Sequence, residues 1–280
     1  MTFAQFVTGA VEDSVNGYPP AVTHIVHFSG GIGSWATARL VSDEIMNHAT
    51  DTLVLLFADT LIEDEETYAF LEAAAVDLDT PLTRIADGRT PWQVFKDVRY
   101  MGNTRIDPCS RVLKRDLLRA HIEANYEPAT TVNYLGIDWT EIHRLERARP
   151  RWEPWRLEAP LTETSLSKQD LLDWADERGL PRQRLYEMGM PHANCGGGCI
   201  KAGVGHFAKL LEKFPTRFAE WEDNEEDIRQ HLGKEVAILR DRTGGKTRPL
   251  TLRELRERIE SKQTGQLDMF DLGGCGCAID

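Results

Sequence analysis

Cysteine is scarce in this sequence: five in 280 residues, an odd number that argues against a disulfide framework. Long apolar runs are missing too, and nothing approaches the ~18–20 residues that cross a bilayer. Basic residues are outnumbered, 33 Lys and Arg against 45 Asp and Glu for a formal charge of −12, which speaks against a protein that coats nucleic acid nonspecifically. Residues 1–11 hold no basic n-region, so no secretion signal is expected. No internal repeat is present. The composition is otherwise 41% hydrophobic and 28% charged, ordinary for a soluble globular chain. Its length suits one large α/β domain or a domain with an appendage, with a cytoplasmic location expected.

Strand-like and helix-like segments alternate. Residues 23–28 (THIVHF) and 51–58 (DTLVLLFA) read as buried strands, each followed by a turn and a helical pattern, at 35–45 and 65–75. A strand at 82–85, a helix at 91–98 and a strand at 131–135 continue the pattern, which is that of a parallel sheet with crossover helices. Residues 139–156, with five arginines and two prolines, read as a loop. Ser167 caps a helix at 167–178, with Asp170 three residues on and Gly179 as its stop. Further helices are expected at 204–213 and 250–259, an acidic run lies at 220–227, and residues 1–20 read as a short helix and turn.

Between the first strand and helix lies Ser29-Gly30-Gly31-Ile32-Gly33-Ser34. Glycines there let the backbone approach an anion, the first N–H groups of the helix point at it, and the two serines add hydroxyl donors. The Lys-Ser/Thr pair of the common P-loop is absent. A plain glycine-rich turn is the bland alternative.

This SGGxxS loop resembles the PP-loop of the adenine nucleotide α-hydrolase superfamily. Four further segments resemble its phosphoadenosine phosphosulfate (PAPS) reductase branch in matching order. These are Asp59-Thr60 with Glu66-Thr67, Pro108-Cys109-Ser110-Arg111 with Lys114, Gly136-Ile137-Asp138 through Glu141 and Arg144, and Gly189-Met190-Pro191 through Cys195 and Cys199. The branch's paired cysteine is here Pro108-Cys109, its C-x-x-C is here Cys195-x-x-x-Cys199, and its C-terminal Glu-Cys-Gly-x-His is replaced by Cys275-Gly276-Cys277. The resemblance implies an open parallel α/β sheet of the five-stranded type with helices on both faces. It also implies a bound adenine nucleotide, either ATP or a phosphosulfate (PAPS or its 3′-dephospho relative, APS). Expected boundaries are an extension at 1–21, the PP-loop domain at 22–215, a helical extension at 216–260 and a tail at 261–280.

In that frame Ser29, Gly30, Gly31, Gly33, Ser34, Thr60 and Gly136 are expected around the nucleotide. Lys114 is placed at the phosphates by resemblance, and Arg111 and Arg144 by local charge: residues 99–119 carry six basic side chains against two acidic ones. Asp59, at the carboxyl end of a strand, is a candidate to hold Mg²⁺ or to cap the next helix. By resemblance Cys109, Cys195 and Cys199 meet beside the nucleotide as ligands of a [4Fe–4S] cluster, or of Zn²⁺. Cys275 or Cys277 serves as fourth ligand or as a reactive thiol. His192 and His206 flank the Cys195–Cys199 loop as further candidates. Trp139, Trp152 and Trp155 among arginines suit stacking on bases, or a loop covering the sheet. The expected partners are a nucleotide or nucleic-acid acceptor and a sulfur or electron donor protein, with a homodimer left open and no membrane. Three functions compete: an adenylating enzyme of sulfur chemistry, a sulfonucleotide reductase with a tail thiol as nucleophile, and a non-catalytic nucleotide- or cluster-sensing module.

Overall fold

Five apolar runs become one sheet in the computed structural model, which describes residues 21–46, 48–102, 106–262, 267 and 273. The strands are β1 (Thr23–His27), β2 (Thr52–Asp59), β3 (Leu82–Ala86), β4 (Thr131–Tyr134) and β5 (Arg156–Glu158). All pair in parallel, in the order β3-β2-β1-β4-β5. The last strand was not legible as one, and the segment before residue 20, Cys275 and Cys277 lie outside the described residues.

The connecting helices are α1 (Ile32–Ile45), α2 (Glu65–Asp77), α3 (Pro91–Asp97), α4 (Pro108–Ser110), α5 (Leu117–Asn125), α6 (Ile142–Trp152) and α7 (Lys168–Glu177). Central β1 is apolar on both faces because helices cover both. Val26 and Phe28 join a core with Ala36 of α1, Phe70 of α2 and Leu171 of α7. Ile25, pointing the other way, joins Leu56, Ile122 of α5 and Leu145 of α6. Caps sit where the sequence offers them: Asp64 accepts the Glu66 N–H, Thr90 forms a capping box with Gln93, and Ser167 forms one with Asp170.

Residues 139–156 correct the loop expectation. Leu145, Ala148 and Trp152 are buried on one face of α6, a helical spacing whose apolar stripe outweighs Pro150. That proline stands two residues from the helix end, so the hydrogen bond it forfeits interrupts only the last turn.

The remainder comprises α8 (Arg184–Glu187), α9 (Val204–Lys213), α10 (Pro215–Leu232), the antiparallel pair β6 (Leu239–Asp241) and β7 (Arg248–Leu250), and α11 (Leu252–Glu260). Phe207 and Leu210 pack with Phe218, Trp221 and Leu255, and with Trp92 and Phe95 of α3. One core therefore runs across residue 215. The buried Glu225 carboxylate ties α10 to the entry of β6 and to the start of α11, accepting the Ile238 N–H (2.8 Å) and the Leu252 N–H (2.6 Å).

The chain leaves β1 for β2 and β3 on one side, then crosses to β4 and β5 on the other. The carboxyl ends of β1 and β4 therefore part over a crevice, the usual ligand position in open α/β sheets. A Cβ on Gly136 would lie 2.6 Å from the Ser34 backbone nitrogen; glycine is what lets the loop after β4 touch the loop after β1.

Candidate functional site

An open recess of about 160 Å³ lies in that crevice, walled by Ser29, Gly31, Ser34, Gly136, Lys114 and Arg144. Gly31 caps α1 through its carbonyl, which accepts the N–H groups of Ser34 (3.1 Å) and Trp35 (3.2 Å). The first turn of α1 holds no acidic residue, so its partial positive charge is left for an anion. Ser29 and Ser34 hydroxyls stand 3.4 Å apart across the loop. Gly30 faces away, its carbonyl taking a hydrogen bond from Gln183 (3.0 Å), while the Tyr186 hydroxyl receives the Ile32 N–H (3.2 Å). Gln183 braces the loop from outside the recess, whereas Tyr186 lines it.

His27 ends β1 in the recess wall. Its Nε2 stands 3.2 Å from Asn133 Oδ1, and its buried Nδ1 has no hydrogen-bond partner among the described residues. Complete burial drives its pKa down to about 4, so the ring is neutral at ordinary pH and carries an unfilled acceptor at Nδ1.

Behind Lys114 lies a second recess, lined by Cys109, Cys195 and Cys199 together with Thr60, Ile62 and Trp221. The structure thus brings the three separated thiols to one place, and Lys114 lines both recesses. Burial, with Cys195 and Asp107 beside it, pushes the Cys109 thiol up to about 12. Among the described residues, no cluster of three His, Cys, Asp or Glu side chains already has the closeness of a metal site.

The Cys195 loop is held by its carbonyls. Arg217 donates to Gly196 (3.0 Å), His206 Nε2 to Gly197 (2.6 Å) and Trp221 Nε1 to Gly198 (2.5 Å). Cys195 itself has φ of 52°, a left-handed conformation that an L-residue adopts only when its surroundings impose it. Glu63 meets this residue: its carboxylate accepts the Cys195 N–H. Glu63 also accepts the Thr60 hydroxyl (3.0 Å) and lies 3.5 Å from Lys114 Nζ. One carboxylate thereby couples the lysine of the glycine-loop recess to the thiol loop. Next to it, burial of Asp64 is overcome by hydrogen bonds from Arg184 and Arg217, which hold its carboxyl below the usual range.

Other expected residues are placed differently. Asp59 lines neither recess: it is fully enclosed, accepting from Tyr68 Oη (2.9 Å), Arg84 Nε (2.8 Å) and the Leu61 N–H (2.7 Å). Its oxygens are committed to the fold. The carboxylates lining the glycine-loop recess are Asp138, which accepts the Thr140 N–H (2.8 Å) and hydroxyl (2.5 Å), and Glu141, which pairs with Arg144 (2.5 Å). Thr60 serves the thiol recess. Arg111 points outward with 60% of its side chain exposed, away from the glycine loop. Trp152 and Trp155 are buried in the sheet core, so they cover the sheet instead of stacking on bases. His192 lines the nucleotide recess. The tail re-enters at Gly273, which bridges Ala202, three residues after Cys199.

Sequence reasoning missed Glu63, His27, Gln183, Tyr186, Arg217 and Trp221. Glu63 sat in an acidic stretch that looked like solvated helix entry. Arg217 and Trp221 lay beyond the segments that carried the resemblance.

No protein-family model and no curated protein matches the chain. Among solved structures it is similar to the U34-tRNA thiolase NcsA from Methanococcus maripaludis with its [4Fe-4S] cluster, with 12% identity, a TM-score of 0.46, and coverage of 77% of this chain and 72% of that one. It is also similar to the phosphoadenylyl-sulfate (PAPS) reductase from Candida auris in its phosphate complex, with 14% identity, a TM-score of 0.41, and coverage of 62% and 80%. Both likenesses are distant, and the chain's own topology establishes the fold. It is an open, five-stranded parallel α/β sheet with its glycine loop after the central strand, the architecture that the PP-loop resemblance implies.

Proposed function

We propose that this chain is a PP-loop adenine nucleotide enzyme of the PAPS reductase-like branch. In this reading it binds ATP in the glycine-loop recess, cleaves it between the α and β phosphates, and activates an oxygen of a nucleotide or nucleic-acid acceptor as an adenylate. The observation that carries the reading is Lys114, a buried cation lining both the glycine-loop recess and the thiol recess.

The acceptor oxygen attacks the α-phosphorus, the α–β bridging bond breaks, and pyrophosphate departs with the charge. The α1 N-terminus, the Ser29 and Ser34 hydroxyls, Lys114 and Arg144 stabilise that charge. Asp138 and Glu141 would hold the Mg²⁺ that accompanies the phosphates. His27 accepts a hydrogen bond at Nδ1 and orients the bound nucleotide.

Support for a metal centre comes from the donor set, three cysteines lining one recess, and from the loop carrying two of them, which three side chains fasten by its carbonyls. Cys109, Cys195 and Cys199 would hold a [4Fe–4S] cluster, which supplies an iron with a position open to a sulfur ligand when bound. Zinc is the rival occupant.

The test is chromatographic detection of AMP and pyrophosphate from ATP with candidate acceptors, with Lys114→Met as the control. Absence of α–β cleavage across small nucleotides and nucleic acids would sink the proposal. Iron content and colour of protein purified without oxygen decide between iron–sulfur and zinc.

A second reading, sulfonucleotide reduction, draws support from the Gly273–Ala202 bridge, which brings Gly273 of the tail to a position three residues after Cys199. A tail thiolate would attack the sulfate sulfur, releasing the nucleotide phosphate as leaving group, and a second thiol would displace sulfite. Sulfite release from PAPS or APS, lost in Cys275→Ser or Cys277→Ser, is its discriminator.

A further inference from the structure

Three of the eight large hydrophobic side chains exposed among the described residues, Val98, Tyr100 and Ile106, gather around one open recess of about 370 Å³. Arg111 and Arg115 complete its wall, with Asp107 at its base. Asp107 also lines the thiol recess, and Lys114 joins that recess to the glycine-loop recess. Three recesses therefore follow one another, each sharing a residue with the next.

A short π-helical stretch, Arg111–Asp116, sits at the junction. Such stretches are rare and are frequently found at functional sites. Here it turns Lys114 into the buried recesses and Arg111 toward the outer one. Arg115 is steadied by Ser110 Oγ (3.5 Å) and Asp107 (3.6 Å), and Asp107 is balanced by Lys201 (3.6 Å). Arg111 has only a loose contact with Asp116, at 4.0 Å.

An aromatic ring flanked by aliphatic groups and two guanidinium groups suits one class of ligand, a planar base attached to a phosphate. We propose that this outer recess binds an unpaired nucleotide of a single-stranded nucleic acid, with its base on Tyr100 and its phosphate on Arg111 and Arg115. The adjoining nucleotide is thereby directed toward the thiol recess. This deepens the proposed adenylating function by naming where its acceptor docks.

Fluorescence anisotropy with labelled five-nucleotide oligouridine and oligothymidine, on the full chain without ATP, tests it. Saturable binding of at least one strand is expected, weakened about fivefold or more by Tyr100→Ala and restored by Tyr100→Phe. Arg111→Ala weakens binding and reduces the slope of log affinity against log salt by about one. No saturable binding of either strand, or equal affinity in wild type and Tyr100→Ala, overturns the proposal. Circular dichroism of each variant separates lost binding from lost folding. Because ATP is absent, the result is independent of whether AMP is ever formed.

Discussion

Lys114 Nζ lies 3.5 Å from Glu63 Oε1, and both side chains are almost completely buried. The pair is doubly anchored, because Glu63 also accepts the Thr60 hydroxyl and the Cys195 N–H. Removing the acid leaves a buried ammonium and a loop N–H without their carboxylate. Glu63→Ala is therefore expected to destabilise the chain by about 3–5 kcal/mol. The double variant Glu63→Ala/Lys114→Met should recover part of that loss. Urea denaturation of Glu63→Ala, Lys114→Met and the double variant checks the coupling, and strictly additive effects would show that the two residues act separately.

Gly198 and Trp221 make a second test. A Cβ on Gly198 would meet Trp221 Nε1 at 2.0 Å, far inside contact distance. Gly198→Ala must displace the indole and its hydrogen bond to the Gly198 carbonyl, at an expected cost of about 1–3 kcal/mol. With the loop loosened, iron per chain in anaerobically purified protein should fall. Thermal melting and iron assay read the two effects, and Gly198→Ala/Trp221→Phe should regain part of the stability by making room.

Gly136 touches the backbone of Ser34 at a distance that excludes a side chain. Gly136→Ala forces the loop after β4 away from the glycine loop and widens the nucleotide recess. Calorimetric titration with ATP should show affinity reduced about tenfold or more, since misplacing donors by a fraction of an ångström weakens every phosphate contact. An unchanged affinity would place the phosphates elsewhere.

His27 should leave a signature in the pH dependence of stability. Burial lowers its pKa from 6.5 to about 4. Below about pH 6.5 the unfolded chain takes up a proton that the folded chain refuses until about pH 4. The unfolded state then binds more protons, so the stability is full above this window and is lost as pH falls through it. Urea midpoints of wild type and His27→Gln at pH 7, 5 and 4 (roughly spanning the window) should diverge, with the wild type falling more steeply.

Much of the fold was legible because it is written locally. β1 and β2 announce themselves as short apolar runs, and the α7 boundaries follow from Ser167, Asp170 and Gly179. β5 was not legible: three residues, Arg156-Leu157-Glu158, become a strand only because β4 offers an unpaired edge. α6 was hidden by Pro150 and by its arginines, whose helical burial pattern matters only once a sheet face is there to cover. Within the site, the glycine loop and Lys114 stood out from their residue types. Glu63 did not, since a glutamate in an acidic segment looks solvated until Lys114 and Cys195 close over it.

By itself the sequence determined the alternation of strands and helices, the glycine loop at the start of α1, and the scarcity of cysteines that made three of them worth following. These depend on periodicity, on capping and on backbone freedom, which act over a few residues. Tertiary structure alone decided that Cys109 shares a recess with Cys195 and Cys199, that Asp59 serves Arg84 and Tyr68, and that Arg111 faces outward while Lys114 faces in. Those outcomes turn on which charges burial forces into pairs, and burial exists only after distant segments have packed together.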